Sequence, residues 1–319
     1  MTDADQDTTL LHHGGGATTD ATADRWNLDS IVSQLRFSRE VSHNIRPKGS
    51  LRQSPSRDAL SGILADLSAS LFPTHYGQSE LGRENIDYFV GSTLNRALVA
   101  LVEQVYRSLL FSGDVRSDAE VHHDAAVLVR DFATELPSIR GLLVGDVRAA
   151  HRGDPAANDL YEILLGYPGM TAIIHHRLAH SLYLRGATLV ARLISEIVHS
   201  KTGIDIHPGA EIGGSFFIDH GTGVVIGETS IIGQRVRIYQ AVTLGARSFP
   251  ADESGALVKG KARHPIIEDD VVIYAGATIL GRVTIGRGSV IGGNVWLTRS
   301  VPPNSRISQA RTRDEDIAD

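Results

Sequence analysis

A small set of ionisable side chains interrupts a stretch of the sequence that is otherwise rich in aliphatic residues and glycine. The stretch covers residues 204–303, and its informative ionisable residues are Asp205, His207, Asp219, His220, Glu228, Arg263 and His264. A carboxylate beside a histidine holds one imidazole tautomer and stabilises the imidazolium that forms when the other nitrogen takes a proton. Such a pair can take the proton of a hydroxyl group. These residue types therefore indicate general-base chemistry.

Aliphatic residues recur every six positions through the same stretch. They fall in three blocks, which are Ile206, Ile212, Ile218 and Val224; Ile226, Ile232, Ile238 and Leu244; and Ile267, Ile273, Ile279, Ile285, Ile291 and Leu297. This period fits neither an α-helix nor an isolated strand. It fits a coil of three short strands, each of which turns one aliphatic side chain inward before a corner rich in glycine. The pattern predicts a left-handed parallel β-helix over residues 204–303.

The spacing of the candidate base and its carboxylate agrees with this coil. Because one coil contains about 18 residues, side chains about 15 to 18 positions apart return to neighbouring places. Asp205 and His220 have this spacing, and we expect them to approach each other across adjacent coils. The alternative is that both are polar surface residues at coil corners.

A metal site is a further alternative for the same stretch. His207, His220 and His264 would supply three imidazoles, which together with water form a catalytic zinc site in other proteins, including carbonic anhydrases built on this fold. Two observations count against zinc. His207 precedes Pro208 at a predicted corner, and the acidic neighbours need no metal to explain them.

The residues before the β-helix follow a helical pattern. The sequence predicts an all-α domain over residues 26–203, so that the fold class is α+β. Ser117 and Glu120 have the spacing of a capping box, and Gly203 is placed to end the last helix. Asp154, which precedes Pro155 and a helical stretch, reads locally as a helix cap. The histidine pairs at 122–123 and 175–176 are interpreted as solvated or packing residues.

Three segments lie outside these two patterns. Residues 1–25 contain few large apolar side chains and are predicted to form a disordered arm, because they bury too little surface to offset the entropy of ordering. Residues 304–319 form a C-terminal tail. Residues 246–263 break the six-residue period and are predicted to form a loop that leaves the coil; such long loops on rigid folds often bind ligands.

Composition excludes several classes of function. The sequence has no cysteine, which excludes disulfides, thiolate zinc sites and cysteine nucleophiles. Its net charge of -6 is spread along the chain, so no basic surface for nucleic acid is expected. No apolar run is long enough to span a bilayer and the first residues do not resemble a signal peptide. We therefore expect no membrane association and a cytoplasmic location.

Ordered motifs resemble those of a known family. They are DIHPGAEIG at 205–213, DHGTGVVIGET at 219–229, VTLGA at 242–246, RHPIIEDDVVIYAGATILG at 263–281 and IGGNVW at 291–296, preceded by GDP in the helical half. Their order and content are similar to serine O-acetyltransferases, from about Asp154 to Pro303. The resemblance implies transfer of an acetyl group from acetyl-CoA to the hydroxyl group of L-serine, which gives O-acetyl-L-serine for cysteine biosynthesis. It implies no metal.

The resemblance also assigns roles to individual residues. His220 would be the general base and Asp205 would orient it. The serine amino group would be held by Asp154 and Asp219, and the serine carboxylate by Arg263 and His264, a pairing of charges that suits a zwitterion. Glu228 would support this site.

Coenzyme binding is implied along a coil edge between neighbouring subunits. The residues implied to contact CoA are Gly245, Ala246, Tyr274, Ala275 and Gly276, and backbone amides near Gly245 would stabilise the oxyanion. The prism shape of the β-helix favours a trimer, and the family's helical domain can pair two trimers into a hexamer. L-cysteine is implied as an inhibitor that competes with serine.

Three departures from the family pattern concern the binding of CoA and of a partner enzyme. Ala246 stands where a second glycine usually follows VTLG, and the loop after it is longer than in many members, which affects the predicted CoA contacts. The chain ends in DEDIAD, with Ile317 two residues before the end. Many members end in isoleucine, which binds O-acetylserine sulfhydrylase, so the ending counts against a complex with that enzyme.

Three other functions remain open from the sequence. The first is an acyltransferase of the same fold with another hydroxyl acceptor such as homoserine. The second is a zinc hydratase of the γ-carbonic anhydrase kind. The third is a trimeric scaffold without activity, which has no evident use for the charged and histidine residues of the β-helix.

Overall fold

The computed structural model describes residues 26–43, 53–77, 81–110, 117–248, 255, 258 and 260–309. The chain divides into two compact units, Met1–Ser50 and Leu51–Asp319. The predicted arm at 1–25, residues 310–319 of the predicted tail and most of the interior of the predicted loop at 246–263 lie outside the described residues. In the first unit, helix α1 (Leu28–Phe37) continues into a π-helical turn (Ser38–Ser42), and neither contains a buried residue.

The second unit begins with seven helices among its described residues. Their bounds are α2 Arg57–Leu71, α3 Pro73–Tyr76, α4 Ile86–Leu110, α5 Asp118–Gly153, α6 Leu160–Gly166, α7 Pro168–Leu184 and α8 Thr188–Thr202. The predicted capping box is confirmed, because the Ser117 hydroxyl and the Glu120 carboxylate exchange hydrogen bonds with each other's backbone at the start of α5. The predicted end of α8 is also confirmed, since Gly203 caps it with a left-handed φ of 69°.

Helix α7 is buried around most of its surface. Twelve of its residues are buried, including both histidines of the 175–176 pair, so these are packed rather than solvated. His122 and His123 on α5 are exposed, as expected. The reason for the difference is that α7 has neighbours on several sides: α8, α5 and the first coil of the β-helix all contact it.

The β-helix that the six-residue period predicts is confirmed. Fourteen strands of two or three residues are described: β1 Asp205–Ile206, β2 Glu211–Ile212, β3 Phe217–Ile218, β4 Val225–Ile226, β5 Ile231–Ile232, β6 Arg237–Ile238, β7 Thr243–Gly245, β8 Ile266–Ile267, β9 Val272–Ile273, β10 Thr278–Leu280, β11 Thr284–Ile285, β12 Val290–Ile291, β13 Trp296–Leu297 and β14 Arg306–Ile307. They form three parallel sheets. Sheet 1 has the order β1-β4-β7-β10-β13, sheet 2 the order β2-β5-β8-β11 and sheet 3 the order β3-β6-β9-β12-β14.

Stacked aliphatic side chains fill the centre of this left-handed β-helix. In sheet 1, Ile206 pairs with Ile226 and Ile226 with Leu244, and all three are buried. Val224 is buried as well, but it precedes β4, so the strand position above Ile206 belongs to Ile226. The corner between β3 and β4 is therefore two residues longer than the six-residue period requires. This longer corner carries Asp219 and His220.

A buried ion pair ties the helices to the first coil. Arg177 of α7 donates to both carboxylate oxygens of Asp146 on α5, at 2.7 and 2.9 Å. The same guanidinium donates to the carbonyl groups of Ile212 and Gly213, and Asp146 accepts from the amide of Phe216. These bonds fix the position of α5, and with it Asp154 at its end, against the β-helix. Within the described residues, no helix is long and apolar enough to cross a membrane.

Candidate active site

Two edges of the β-helix carry the candidate residues. We call the edge where the chain passes from sheet 3 to sheet 1 the 3–1 edge, and the edge where it passes from sheet 1 to sheet 2 the 1–2 edge. Asp219, His220 and the Tyr274–Gly276 segment lie at the 3–1 edge, after strands β3 and β9. Glu228, Gly245, Ala246, Arg263 and His264 lie at the 1–2 edge. The structure therefore brings the candidates together in two groups.

His220 projects from the longer corner at the 3–1 edge. Its backbone is left-handed, with φ of 56°, and the glycines at 221 and 223 also have positive φ. At Gly221 a Cβ would lie 2.4 Å from Ile204, so the corner requires glycine there. The His220 side chain is 69% exposed, and its Nδ1 lies 3.8 Å from an oxygen of Asp219, which is buried. The corner thus presents an imidazole to solvent with a carboxylate behind it.

Asp154 joins this group from the end of α5. One of its oxygens accepts from the Ala156 amide at 2.8 Å, and the other accepts from the Tyr167 hydroxyl at 2.5 Å. The hydroxyl of Tyr167, the Ala156 amide and the nearby His220 lower the pKa of Asp154. The same bond raises the pKa of Tyr167. Asp154 is therefore a fixed, ionised carboxylate beside His220.

Asp205 stands apart from the predicted pairing. It begins β1, is half-buried and pairs in register with Val225. No hydrogen bond or ion pair joins it to His220 in the described structure, where the carboxylate close to the imidazole belongs to Asp219. The orienting role of Asp205 stays a prediction.

Glu228, Arg263 and Tyr183 form the centre of the second group. Arg263 donates to one oxygen of Glu228 at 2.7 Å, and the Tyr183 hydroxyl of α7 donates to the other at 3.2 Å. Burial disfavours the ionised form of Glu228, but the bonds from Arg263 and Tyr183 and the nearby His207 outweigh it and lower its pKa. Glu228 thus holds the Arg263 guanidinium at the 1–2 edge.

His264 is buried beside Arg263. Its Nδ1 lies 3.0 Å from the backbone nitrogen of Thr229 and 2.9 Å from the Thr229 hydroxyl oxygen. Burial and the charge of Arg263 lower the pKa of His264 to about 4, although Glu228 opposes this. His264 is therefore neutral at neutral pH.

The three histidines of the zinc interpretation do not converge within one chain. His207 and His264 influence each other at the 1–2 edge, whereas His220 lies at the 3–1 edge. The Nδ1 atom of His207 accepts from the Gly209 amide at 2.9 Å. In the part of the chain that the structure describes, no group of three or more histidine, cysteine or acidic residues has the geometry of a metal site.

The candidate coenzyme residues also divide between the edges. Along the 3–1 edge the corners stack in line, since the Ala241 amide donates to Thr222 and the Gly276 amide donates to Gln240. The ring of Tyr274 stacks on Tyr239 at 5.1 Å and is 44% exposed. Gly245 ends β7 on the 1–2 edge, opposite Leu280 of β10, and Ala246 follows it.

Sequence reasoning missed four residues that shape these groups. They are Tyr167, Tyr183, Thr229 and Arg282. Thr229 lies inside the GET motif, and its position directly after Glu228 was a signal that could have identified it. The tyrosines belong to helices and reach the β-helix only through tertiary packing, for which the sequence gives no signal.

The fold and its exposed histidine–carboxylate corner define a transferase of the hexapeptide-repeat class. The family model described as bacterial transferase hexapeptide (six repeats) matches residues 264–299. The chain is 57% identical over 301 residues to "Serine acetyltransferase, plasmid" of Synechococcus elongatus, which covers 92% of this chain and 93% of the relative. It is 49% identical over 163 residues to a serine acetyltransferase of Mycobacterium tuberculosis, over 51% of this chain and 67% of that one.

Solved structures agree with these relatives. Serine acetyltransferase 1 of Entamoeba histolytica in complex with L-cysteine superposes with a TM-score of 0.69 at 36% identity, over 90% of this chain and 100% of that chain. Soybean serine acetyltransferase complexed with serine superposes with a TM-score of 0.51 at 29% identity, over 81% of this chain and 99% of that chain. The chain belongs to the serine acetyltransferase family.

Proposed function

We propose that the protein transfers the acetyl group of acetyl-CoA to the hydroxyl group of L-serine, with His220 as the general base. The observation that carries this assignment is the exposed His220 imidazole at the longer corner, with the Asp219 carboxylate 3.8 Å from its Nδ1 and the charge of Asp154 acting on the same place. His220 takes the serine hydroxyl proton as the oxygen attacks the thioester carbonyl. The tetrahedral intermediate then releases the CoA thiolate, which takes the proton back from His220. The products are O-acetyl-L-serine and CoA.

The charged groups suit a zwitterionic amino acid. Asp154 and Asp219 would bind the serine ammonium group beside His220, and Asp205 would orient the imidazole. Arg263 and His264 would bind the serine carboxylate, with Glu228 holding the guanidinium in place. The complexes of relatives with serine and with L-cysteine support a site that binds these two amino acids, and we propose L-cysteine as an inhibitor that competes with serine.

A second copy of the chain would complete this site. The ammonium-binding and carboxylate-binding residues lie on different edges, and sheet 1 lies between them. In a threefold arrangement with sheet 1 toward the axis, the 3–1 edge of one copy faces the 1–2 edge of the next. The outward side chains of sheet 1 agree with this, because Val225 is 38% and Trp296 is 69% exposed in the single chain. We propose at least a trimer.

Acetyl-CoA would lie in the same cleft. The stacked corners from Thr222 through Ala241 to Gly276 give it a straight edge, and the exposed Tyr274 flanks that edge. Gly245 and Ala246 of the neighbouring copy would face it, and amides near Gly245 would donate to the oxyanion. The residues present need no metal for any of these steps.

Acetyl-CoA-dependent release of CoA, followed with a thiol reagent, tests the proposal. The protein has no cysteine, so it contributes no thiol signal. We expect turnover with L-serine above the blank without acceptor, and a fall of at least about a hundredfold in His220→Ala. His123→Ala, at an exposed histidine of α5, is the matched control and should keep full activity.

The same assay separates the rival functions. Greater CoA release with L-homoserine than with L-serine would show that the protein is an acetyltransferase of the same kind with a different hydroxyl acceptor. No release with either acceptor, together with stoichiometric zinc in the purified protein, would favour the hydratase. Full activity in His220→Ala would show that His220 is not the general base.

A further inference from the structure

The hydrogen bonds around His264 define which of its nitrogens carries the proton. Its Nδ1 lies 3.0 Å from the backbone nitrogen of Thr229. A backbone N–H group donates and has no lone pair with which to accept, so Nδ1 must be the acceptor and cannot carry a proton. The single proton of the ring therefore lies on Nε2. Protonating both nitrogens would break this bond.

The hydroxyl group of Thr229 makes the arrangement rigid. Its oxygen accepts from the amides of Arg263 at 2.9 Å and of His264 at 3.2 Å, and it lies 2.9 Å from His264 Nδ1. A hydroxyl group has one donor and two acceptor positions. Since both amides must donate, the hydroxyl proton points to Nδ1, whose single lone pair it shares with the Thr229 amide, and all three positions of the hydroxyl group are used.

The charged groups around the ring disfavour the imidazolium. Arg263 and Glu228 face it from the 1–2 edge, and His207 lies close by. From the corner before β11, Arg282 donates to the carbonyl oxygens of Thr229, at 2.5 Å, and of His264, at 3.0 Å. Two cations against one carboxylate, together with burial of all but 6% of the residue, agree with a neutral ring.

Packing fixes the position of the ring as well. His264 covers Gly227, where a Cβ would lie 2.2 Å from Nε2. Any side chain at position 227 would displace the imidazole. Among the described residues, no hydrogen bond to Nε2 is formed within the chain, so its proton is free to donate to a ligand.

We propose that Thr229 is a positioning residue that locks His264 as a neutral imidazole with its proton on Nε2. This inference rests on the proposed function, in which His264 and Arg263 bind the serine carboxylate. Recognition then uses one cation, Arg263, and one neutral donor, His264, instead of two cations. The site gains a directed hydrogen bond without placing a second buried charge beside Arg263.

The state of the ring can be measured without any substrate. The full-length protein is labelled with ¹⁵N-histidine, and the signal that disappears in His264→Gln belongs to His264. We expect an unprotonated Nδ1 and a protonated Nε2 at about pH 7, unchanged down to about pH 5.5. A cationic ring in that range, or a proton on Nδ1, would overturn the proposal.

Steady-state kinetics test the positioning role. Removing the hydroxyl in Thr229→Val leaves the amides of Arg263 and His264 without their acceptor. We expect the KM for L-serine to rise at least about tenfold while the KM for acetyl-CoA changes less than about twofold. Thr229→Ser keeps the hydroxyl and should restore the KM for serine. Thr188→Val, at an exposed position of α8, is the matched control and should match the wild type.

Two kinetic results would contradict the role of Thr229. One is an unchanged KM for serine in Thr229→Val, and the other is an equal rise of both KM values that Thr229→Ser does not correct. If no hydroxyl acceptor supports turnover, the proposed function fails. The nuclear magnetic resonance measurement still decides the state of His264, because it needs no substrate.

Discussion

Asp154 owes its low pKa first to one hydroxyl group, that of Tyr167. A carboxylate whose pKa is lowered stays ionised to a lower pH, and this ionised form is the one that binds an ammonium group. Tyr167→Phe removes the hydrogen bond, so the pKa of Asp154 should rise toward its ordinary value. As the pH falls, the variant should lose kcat/KM for L-serine at a higher pH than the wild type does, and the two profiles should converge on the alkaline side.

Profiles of kcat/KM for serine between about pH 3 and pH 7 measure this shift, because the ordinary pKa of an aspartate, 3.8, lies inside that range. Tyr161→Phe changes an exposed tyrosine on α6 and serves as the control. An acid limb at the same pH in Tyr167→Phe and in the wild type would mean that Asp154 does not bind the substrate in its ionised form.

Sequence reasoning at the residue scale identified most of the charged side chains of the candidate site. It missed the tyrosine hydroxyl groups that hydrogen-bond to two of those side chains. It identified His220, Asp219 and the arginine and histidine at 263–264 by their presence in an apolar repeat. Tyr167 and Tyr183 are ordinary helix residues in the sequence, and only the packing of helices on the β-helix places their hydroxyl groups on Asp154 and Glu228. The tautomer of His264 likewise depends on a contact made across the coil.

At the scale of elements, the buried pair of Arg177 and Asp146 should be a main tie between the helices and the β-helix. Arg177→Met leaves the Asp146 carboxylate buried without its cation. Removing one partner of a buried pair costs about 3–5 kcal/mol, so we expect the free energy of unfolding in urea to fall by about that amount. Arg96→Met is the control, because Arg96 is 63% exposed in its pair with Asp66, and solvent screens such a pair so that its loss changes stability little.

A double variant separates the charge from the packing. Arg177→Met combined with Asp146→Leu removes both buried charges, and it should recover part of the stability that Arg177→Met loses. Equal losses in Arg177→Met and in the surface control would show that the pair does not tie the two parts together.

The six-residue period predicted the strands of the β-helix well, but sequence patterns predicted less well which side chains the neighbouring elements bury. Six-residue spacing predicted the strands because each coil repeats the same contact, an aliphatic side chain above another. The two-residue step between the first and second blocks, from Val224 to Ile226, corresponds to the longer corner between β3 and β4. The sequence left open whether the histidines of α7 are solvated or packed, because their burial depends on neighbouring elements and not on the helix itself.

At the scale of the whole molecule, the two edges imply a site shared between copies. The sequence alone could not show that Asp219 lies at one edge of sheet 1 and Arg263 at the other. The separation follows from the coil, which returns Asp219 and Arg263 to different corners although both are close to strands of sheet 1. The six-residue period predicts where the corners of one chain lie. Which corners of neighbouring copies face each other depends on how the copies assemble.

Mixed oligomers test this shared site directly. His220→Ala damages only the 3–1 edge and Arg263→Ala only the 1–2 edge, so each variant alone has every site damaged. When the two are co-expressed, some clefts join the intact 3–1 edge of one copy to the intact 1–2 edge of the next. Random mixing in equal amounts should restore about a quarter of the wild-type sites, measured as CoA release at low serine concentration.

The control for this experiment combines two defects of one edge. A mixture of His220→Ala and Asp219→Asn leaves every 3–1 edge damaged, and it should show only the activity of its two parents. If the site lay within one chain, the mixture of His220→Ala and Arg263→Ala would behave in the same way, because each chain would carry one defect of its own. Restoration in the first mixture and not in the second therefore assigns the two halves of the site to neighbouring copies.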